Sequence, residues 1–268
     1  MSGRILTINA GSSSLKFALF DSEKLTEISR GQIEALDTAP KFSARDGRGG
    51  LIAEAAWPAC MSFSDSLEKL LAFATSHLEG GELAAVGHRV VFGGAEHIAP
   101  SRVTPALLAD LERLTPLEPL HMPHNLAPIH AIAGLQPALT QVACFDTAFH
   151  HTLPLVARGF AVPRALTEAG VRRYGFHGLS YEYISTRLRQ DFPVLAVGRV
   201  VAAHLGAGAS LCALQDGASI DTTTGFSALD GLIMATRTGR IDAGVLLYLA
   251  TQGKSFSEIE KILYHDSG

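Results

Sequence analysis

Apolar and polar positions at the start of the chain predict two strands followed by a helix. The runs Ile5–Ile8 and Leu15–Phe20 are β-prone, and the residues between them, Asn9–Ser14, are small, so we expect the chain to open with a hairpin. Apolar residues then recur at helical spacing over Ser64–Leu78, and Gly80 follows as a stop signal. Strand and helix patterns are therefore combined early in the chain.

The same two patterns continue to the end of the chain. Further strands are predicted at Leu83–Val91, Gln141–Phe145, Arg199–Leu205, Leu211–Leu214 and Ser219–Thr222, with weaker sheet within Arg30–Phe42. Further helices are predicted from Thr104 onward and over Asn125–Gly134, Ser180–Gln190, Arg240–Thr251 and Ser255–Tyr264. Loops are predicted at Arg45–Gly50, Asp146–Pro163 and Arg172–Gly178. Strands that alternate with helices in this order are typical of the α/β class.

Two turns made of small residues resemble each other. Asn9–Ser14 and Gly206–Ser210 each follow an apolar strand, end in Ser-Leu and lead into another strand. Small residues leave backbone N–H groups and hydroxyls accessible, which suits phosphate binding, although an ordinary hairpin explains the first turn equally well. A duplicated phosphate hairpin would place the two turns opposite each other across a cleft between two related domains.

Composition narrows the class of protein. With 268 residues, 47% of them hydrophobic and 18% charged, the chain can bury a large core. A net charge of −4 without a basic block argues against nucleic acid as a partner. No apolar run predicts a membrane span, and the N-terminus lacks a signal-peptide layout. Cys60, Cys144 and Cys212 lack CxxC spacing, so we interpret them as reduced, buried thiols of a cytoplasmic protein.

Polar residues follow apolar strands at their carboxyl ends, where ligands bind in α/β folds. Arg89 has the planar fork that suits a carboxylate or phosphate, or it forms a structural ion pair with Asp146. Asp146 is a candidate base or Mg²⁺-linked carboxylate, or a cap of its strand end. His177 is a candidate donor to a transferring phosphoryl group, or a structural histidine, and Arg237 repeats the chemistry of Arg89.

Other site classes are disfavoured. The sequence contains no GxxxxGK[ST], no GxGxxG that opens a helix and no GxSxG. No zinc site is predicted, because the remaining histidines do not have metal-ligand spacing: His121, His124, His150 and His151. Two small-residue turns with two arginines, a histidine and an aspartate instead indicate phosphoryl transfer by positioning and charge stabilisation.

Several of these stretches resemble the acetate kinase family, within the actin/Hsp70/sugar-kinase superfamily. They occur in the family's order and span the chain: Ile8–Lys16, Gly87–Val91, Pro119–His121, Phe145–His150, Arg173–Gly178, His204–Gly206 and Gly225–Arg237. The resemblance implies ATP + acetate ⇌ ADP + acetyl phosphate, with Mg²⁺, in a homodimer. It also implies duplicated ribonuclease H-like (actin-like ATPase) domains, here residues 1–149 and an incomplete second domain over residues 150–268.

The resemblance also implies a role for each matching residue. Asn9 would help to hold Mg²⁺, and Asp146 would be the essential acid/base or metal-linked carboxylate. His177 and Arg237 would stabilise the transferring phosphoryl group, and Arg89 would bind the substrate. The nucleotide phosphate region would comprise Ser14, Lys16, His204, Leu205, Gly206, Ala207 and Gly208. The pocket for the acyl methyl group would comprise Val91, Leu120 and Phe176.

The chain departs from the family's pattern at a few positions near these residues. Phe92 replaces a His, and Ala207 replaces an Asn whose side chain would bond near the nucleotide. Ala228 replaces the Pro that completes the methyl pocket, so we predict better tolerance of propionate. Around Arg237, three more positions differ from the usual Gly, Asp and Pro: Ala235, Arg240 and Ala243.

Family members are also longer by roughly a third. In the family, that further part carries the adenosine pocket, a Gly-rich turn and a Mg²⁺-linked Glu. A chain that ends at Gly268 would be a fragment or a truncated gene product. In either case we expect it to be a poor or inactive kinase alone. An alternative is therefore a non-catalytic remnant that only binds ligand. An actin- or Hsp70-like nucleotide switch fits less well, because Arg89, His177 and Arg237 suit small-anion chemistry.

Overall fold

The computed structural model describes residues 3–78 and 80–268. This part of the chain divides into two compact units. The first unit continues to Val91 and resumes over Ala99–Cys144, and the second comprises Phe92–Ile98 and Phe145–Gly268. Strands and helices are mixed in sequence, which confirms the predicted α/β class. The domain boundary between residues 149 and 150 stays a prediction.

The first unit contains a large mixed sheet with helices. Its strands are β1 (Gly3–Ala10), β2 (Ser14–Asp21), β3 (Glu27–Glu34), β4 (Lys41–Asp46), β5 (Leu51–Ala56), β6 (Glu82–Val90), β7 (Ser101–Arg102) and β8 (Thr140–Phe145). Its helices are α1 (Phe63–Ser76), α2 (Pro105–Leu114), the short 3₁₀ helix Thr115–Leu117 and α3 (Met122–Leu135). The sheet order is β5-β4-β3-β2-β1-β6-β8-β7.

The centre of this sheet has the ribonuclease H-like arrangement that the family resemblance implies. β3, β2 and β1 are antiparallel neighbours, whereas β1 pairs with β6 in parallel, with Ile8 opposite His88. Alternate residues of β1 and β2 face a core that includes Leu6 and Phe17, and α1 packs its leucines against that core. The other face of β1 and β6 is thereby left to polar residues at the carboxyl ends of the strands.

The second unit is organised around a smaller antiparallel sheet in the order β11-β10-β9. Its strands are β9 (Arg199–Leu205), β10 (Ala209–Gln215) and β11 (Ala218–Thr222). Its helices are the 3₁₀ helix Ala148–Thr152, α4 (Leu155–Arg158), α5 (Arg164–Glu168), α6 (Gly178–Asp191), α7 (Pro193–Ala196), α8 (Ala243–Thr251) and α9 (Phe256–Tyr264). β9, β10 and β11 repeat the antiparallel succession of β1, β2 and β3, and a small-residue turn follows the first strand in each case. The predicted internal resemblance is therefore present in the topology.

Several element boundaries differ from the sequence prediction. β5 was not predicted, because Leu51–Ala56 is largely exposed and shows no buried apolar alternation. The loop predicted from Arg45 is shorter, since β4 continues to Asp46, whose carboxylate accepts hydrogen bonds from the following turn. α8 begins later than Arg240, because Asp242 is its N-cap and accepts from the Gly244 N–H at 2.7 Å.

The cysteine prediction was partly wrong. Cys60 is exposed and Cys144 is half-buried, and only Cys212 among the three is buried. Burial raises the pKa of the Cys212 thiol to about 11, so this thiol stays protonated at neutral pH. Cys60 lies between β5 and α1, outside any strand, so the apolar residues near it in the sequence did not predict its exposure. Separately, no helix within the described residues has the length and apolar character needed to cross a membrane.

Candidate active site

The predicted residues of the first unit meet at the carboxyl ends of β1 and β6. Ile8 of β1 pairs with His88 of β6. Asn9 and Arg89 are the next residues of these parallel strands, so they lie side by side on one face of the sheet. The Asn9 Oδ1 accepts a hydrogen bond from the Arg89 Nη1 at 3.1 Å. This bond fixes the orientation of the guanidinium, which is the group suited to a small carboxylate or phosphate.

The first small-residue turn closes directly beyond Asn9. The Gly11 N–H donates to the Ser14 carbonyl at 2.8 Å, which holds the hairpin between β1 and β2. Lys16 lies opposite Asn9 in the hairpin register and is exposed. Because side chains alternate between faces along a strand, Lys16 lies on the same face as Asn9 and away from the buried Leu15 and Phe17.

Asn125 joins these two strand ends, a role that the sequence prediction missed. Its Oδ1 accepts from the Val91 N–H at 2.8 Å, and its Nδ2 donates to the Ala10 carbonyl at 2.8 Å. Asn125 lies on α3 and is buried, with 3% of its surface exposed. A polar residue among the apolar positions of a helix was the available signal. One side chain thus connects the residue before the first turn with the strand that carries Arg89.

The apolar candidates of this unit lie near that connection. Val91 is buried and is held through its N–H by Asn125. Leu120 is half-buried and precedes α3. Its neighbour His121 pairs through Nδ1 with the buried carboxylate of Glu118 at 2.6 Å. The segment that carries Leu120 is therefore anchored by a polar contact to a buried carboxylate rather than by apolar packing alone.

In the second unit, Asp146 follows β8 and is 1% exposed. The Gly178 N–H donates to the Asp146 carbonyl at 2.8 Å. A Cβ at Gly178 would overlap that carbonyl oxygen, so this close approach requires glycine. His177 is consequently held one residue away from the backbone of Asp146.

His177 has a strained backbone and a defined ring position. Its φ is 62°, in the left-handed region that is unusual for a residue other than glycine and that occurs often at functional sites. Its Nδ1 lies 2.8 Å from the Ser210 Oγ, and its ring stacks on the ring of His204 with centroids 4.1 Å apart. The His204 ring is in turn held by the Ser180 Oγ at 3.0 Å.

His177 and Arg237 converge on the second small-residue turn. A Cβ built on Gly208 would lie 3.5 Å from the His177 Nε2 and 3.9 Å from the Arg237 Nη1. The Arg237 Nη1 also donates to the Ala228 carbonyl at 2.9 Å, which fixes the guanidinium. The remaining turn residues, Leu205, Gly206 and Ala207, are exposed, and the Gly206 N–H bonds to the Gly208 carbonyl at 3.1 Å.

Phe176 and His150 support the segment before His177. The Phe176 N–H donates to the Thr224 Oγ1 at 3.0 Å, and the Phe176 carbonyl accepts from the His150 Nε2 at 2.9 Å. Because a carbonyl only accepts, Nε2 carries the proton, and the His150 Nδ1 is left to accept from the Ser219 hydroxyl at 2.8 Å. Burial lowers the pKa of His150, although the bond to Phe176 and the charge of Asp146 oppose that shift. His150 is therefore a buried neutral histidine, and the sequence prediction had given it no role.

The donor set fits Mg²⁺ better than a transition metal. Within residues 3–78 and 80–268, no group of three or more His, Cys, Asp or Glu side chains is placed to share an ion. Mg²⁺ needs only one or two protein oxygens beside water and substrate phosphates. The amide oxygen of Asn9 has two lone pairs, of which the bond from Arg89 uses one, so it is chemically able to be such a ligand.

These residues can be compared with known proteins. A model of the acetokinase family matches residues 4–268. The chain belongs to the acetokinase family. The acetate kinase of Rhodopseudomonas palustris (strain TIE-1) is 50% identical over 277 residues, which covers 100% of this chain and 69% of that protein. The acetate kinase of Methylocella silvestris is 47% identical over 280 residues, with the same coverage of 100% and 69%.

Solved structures of the family have the same fold. A propionate kinase from Francisella tularensis has a TM-score of 0.91 at 35% identity, covering 99% of this chain and 69% of that one. An acetate kinase from Porphyromonas gingivalis has a TM-score of 0.86 at 33% identity, covering 100% and 69%. The predicted family and the enzyme class, a carboxylate-phosphorylating kinase of an ATP-using family, are confirmed.

Proposed function

We propose that this protein transfers the γ-phosphoryl group of ATP to acetate, giving acetyl phosphate and ADP in a reversible reaction. The observation that carries the proposal is the convergence of His177 and Arg237 on Gly208 of the small-residue turn. Two hydrogen-bond donors beside exposed backbone form a surface for the oxygens of a phosphoryl group. In the reaction, a carboxylate oxygen forms the new O–P bond, and the bond from phosphorus to the leaving oxygen of ADP breaks.

The remaining roles are those that the family resemblance implies, and the chemistry of each residue suits its role. Arg89, whose orientation is fixed by Asn9, binds the carboxylate of the substrate. Asp146 handles a proton or links to the metal, and its burial strengthens either interaction. Val91 and Leu120 contact the acyl methyl group, and we assign Phe176 the same role. Nucleotide phosphates are bound by Ser14 and Lys16 and by the residues from His204 to Gly208.

Asn9 is the proposed ligand of Mg²⁺, an ion that neutralises phosphate charge when bound. The residues' own part is to orient the reacting groups and to stabilise developing charge, as described above. The same proposal includes homodimerisation, which the family resemblance implies, and a cytoplasmic location, which was inferred from the cysteines.

Propionate is a second candidate substrate. The solved structure with a TM-score of 0.91 is that of a propionate kinase. Ala228, where the family's pattern has Pro, leaves a smaller side chain next to the backbone that holds Arg237. A smaller side chain in the pocket for the acyl group would accommodate the additional methylene group of propionate. One methylene group typically changes the discrimination between two substrates by about 1–3 kcal/mol.

Trapping of acyl phosphate as hydroxamate tests the proposal. Because a poor kinase is expected of this chain, the purified chain should form hydroxamate from ATP with acetate slowly but above background. Arg237→Ala and His177→Ala should each lower kcat by about 10²-fold. Arg187→Ala is a matched control, because Arg187 forms an exposed pair with Asp191 on α6. A folded chain that forms no hydroxamate with acetate or propionate would contradict the proposal and favour a protein that only binds these ligands.

A further inference from the structure

We propose that Tyr181 and Ser210 form a hydrogen-bond relay that holds His177 in the tautomer with its proton on Nε2. The relay makes these two residues positioning residues for phosphoryl transfer. It rests on the role proposed above for His177, and it assigns that role to a neutral imidazole donor.

The geometry of the relay is defined by three buried or half-buried groups. The Ser210 Oγ, on β10, lies 2.8 Å from the His177 Nδ1 and 2.5 Å from the Tyr181 hydroxyl. Ser210 is 0% exposed and Tyr181 is 1% exposed, so water does not compete for these bonds. Tyr181 lies on α6, one turn after His177, and its ring packs on Cys212 and Leu214. The hydroxyl groups are therefore fixed by the sheet and the helix together.

The direction of the hydrogen bonds follows from the groups at the far end of the relay. At the far end, the Tyr181 hydroxyl lies 2.5 Å from the Ser210 Oγ, and both residues are buried. Burial raises the pKa of Tyr181, so the phenol keeps its hydrogen and donates it to the Ser210 Oγ. Ser210 then donates its own hydrogen to the His177 Nδ1. In the opposite direction, the Tyr181 hydrogen would need a different acceptor at a site that is 1% exposed.

The consequence lies at the other edge of the ring. When Nδ1 accepts, the neutral imidazole carries its proton on Nε2. Nε2 is the atom that a Cβ on Gly208 would contact at 3.5 Å, so the N–H lies beside the proposed phosphate turn. His177 is thus prepared as a donor before the substrate arrives.

Two substitutions test the relay in the complete chain. Tyr181→Phe removes only the hydroxyl that orients Ser210, and Ser210→Ala removes the donor to Nδ1. We expect each to lower kcat about tenfold with little change in KM, because each removes a hydrogen bond that orients the His177 ring, directly or through Ser210. The double variant should be no slower than Ser210→Ala, since both act through one chain of bonds. Tyr183→Phe on the same helix, where the ring is 64% exposed, is the matched control.

Ring ¹⁵N NMR gives a readout that does not depend on kinase activity. The wild-type spectrum should show a protonated Nε2 and an unprotonated Nδ1 for His177, and Ser210→Ala should give a mixture of tautomers. A wild-type His177 protonated on Nδ1, or additive kinetic losses in the double variant, would overturn the relay. The outcome for the catalytic role is separate. If His177→Ala keeps full activity while the wild-type spectrum shows the expected tautomer, the proposed catalytic role of His177 is wrong and the relay is still supported.

Discussion

Asn125 offers the sharpest test of how the first unit holds its predicted site. Asn125→Ala removes two buried hydrogen bonds at once, from the Val91 N–H and to the Ala10 carbonyl, each 2.8 Å long. Both backbone groups would be left without these partners at a side chain that is 3% exposed. The substitution therefore probes the connection between the end of β1 and the end of β6.

The expected magnitude follows from the cost of a buried unsatisfied group. Each such group costs about 1–3 kcal/mol, which gives about 2–6 kcal/mol for the two. Alanine regains up to about 0.7 kcal/mol through its higher helix propensity. We therefore expect a loss of roughly 3 kcal/mol in the free energy of unfolding. Asn125→Asp keeps the acceptor for the Val91 N–H but turns a carboxylate oxygen toward the Ala10 carbonyl, so it should also be destabilising.

Urea unfolding followed by tryptophan fluorescence is a suitable assay. Trp57 is the chain's single tryptophan, and it stacks on Phe42 of the first unit's core at 5.5 Å, so its signal reports this unit. His124→Ala, an exposed neighbour on the same helix, is the control and should change stability by less than about 0.5 kcal/mol. If Asn125→Ala is no more destabilising than His124→Ala, the proposed connection contributes nothing and the reasoning is wrong.

Three further predictions concern the site and its surroundings. Gly208→Ala should lower kcat without loss of stability, because a Cβ there would occupy the space beside the His177 Nε2. Gly134→Ala is the control, since a Cβ at Gly134 meets nothing within 4 Å. Equal kcat values for the two variants would refute the idea. Burial lowers the pKa of His88 to about 4, below its unfolded value of 6.5, so the unfolded state binds the extra proton as the pH falls from about 6.5 to 4. Over that pH range, the free energy of unfolding of the wild type should decrease by about 3 kcal/mol relative to that of His88→Gln. If urea unfolding shows the same pH dependence for both proteins, this prediction is wrong. Ala228→Pro should lower kcat/KM for propionate relative to acetate, and an unchanged ratio would show that Ala228 does not set acyl selectivity.

Local patterns predicted the elements whose side chains alternate strongly between core and solvent. β1, β2, β8 and β9 lie close to their predicted ranges, and the α9 capping box of Ser255 and Glu258 is present as expected. The exposed β5 has no such alternation and was missed. The boundaries of α3 and α8 also moved, since capping and packing contacts decide where a helix begins.

The sequence by itself determined the class of the protein, the family and the chemical candidates, because strand periodicity, small-residue turns and the sequence of Arg89, Asp146, His177 and Arg237 are local properties. Only the tertiary structure decided how those candidates are held. Asn125 bonds to a residue 115 positions away, and Ser210 bonds to His177 33 positions away. Such contacts depend on register and helix packing, which no short window of sequence contains. The residues that support the site could therefore be identified only from the tertiary structure.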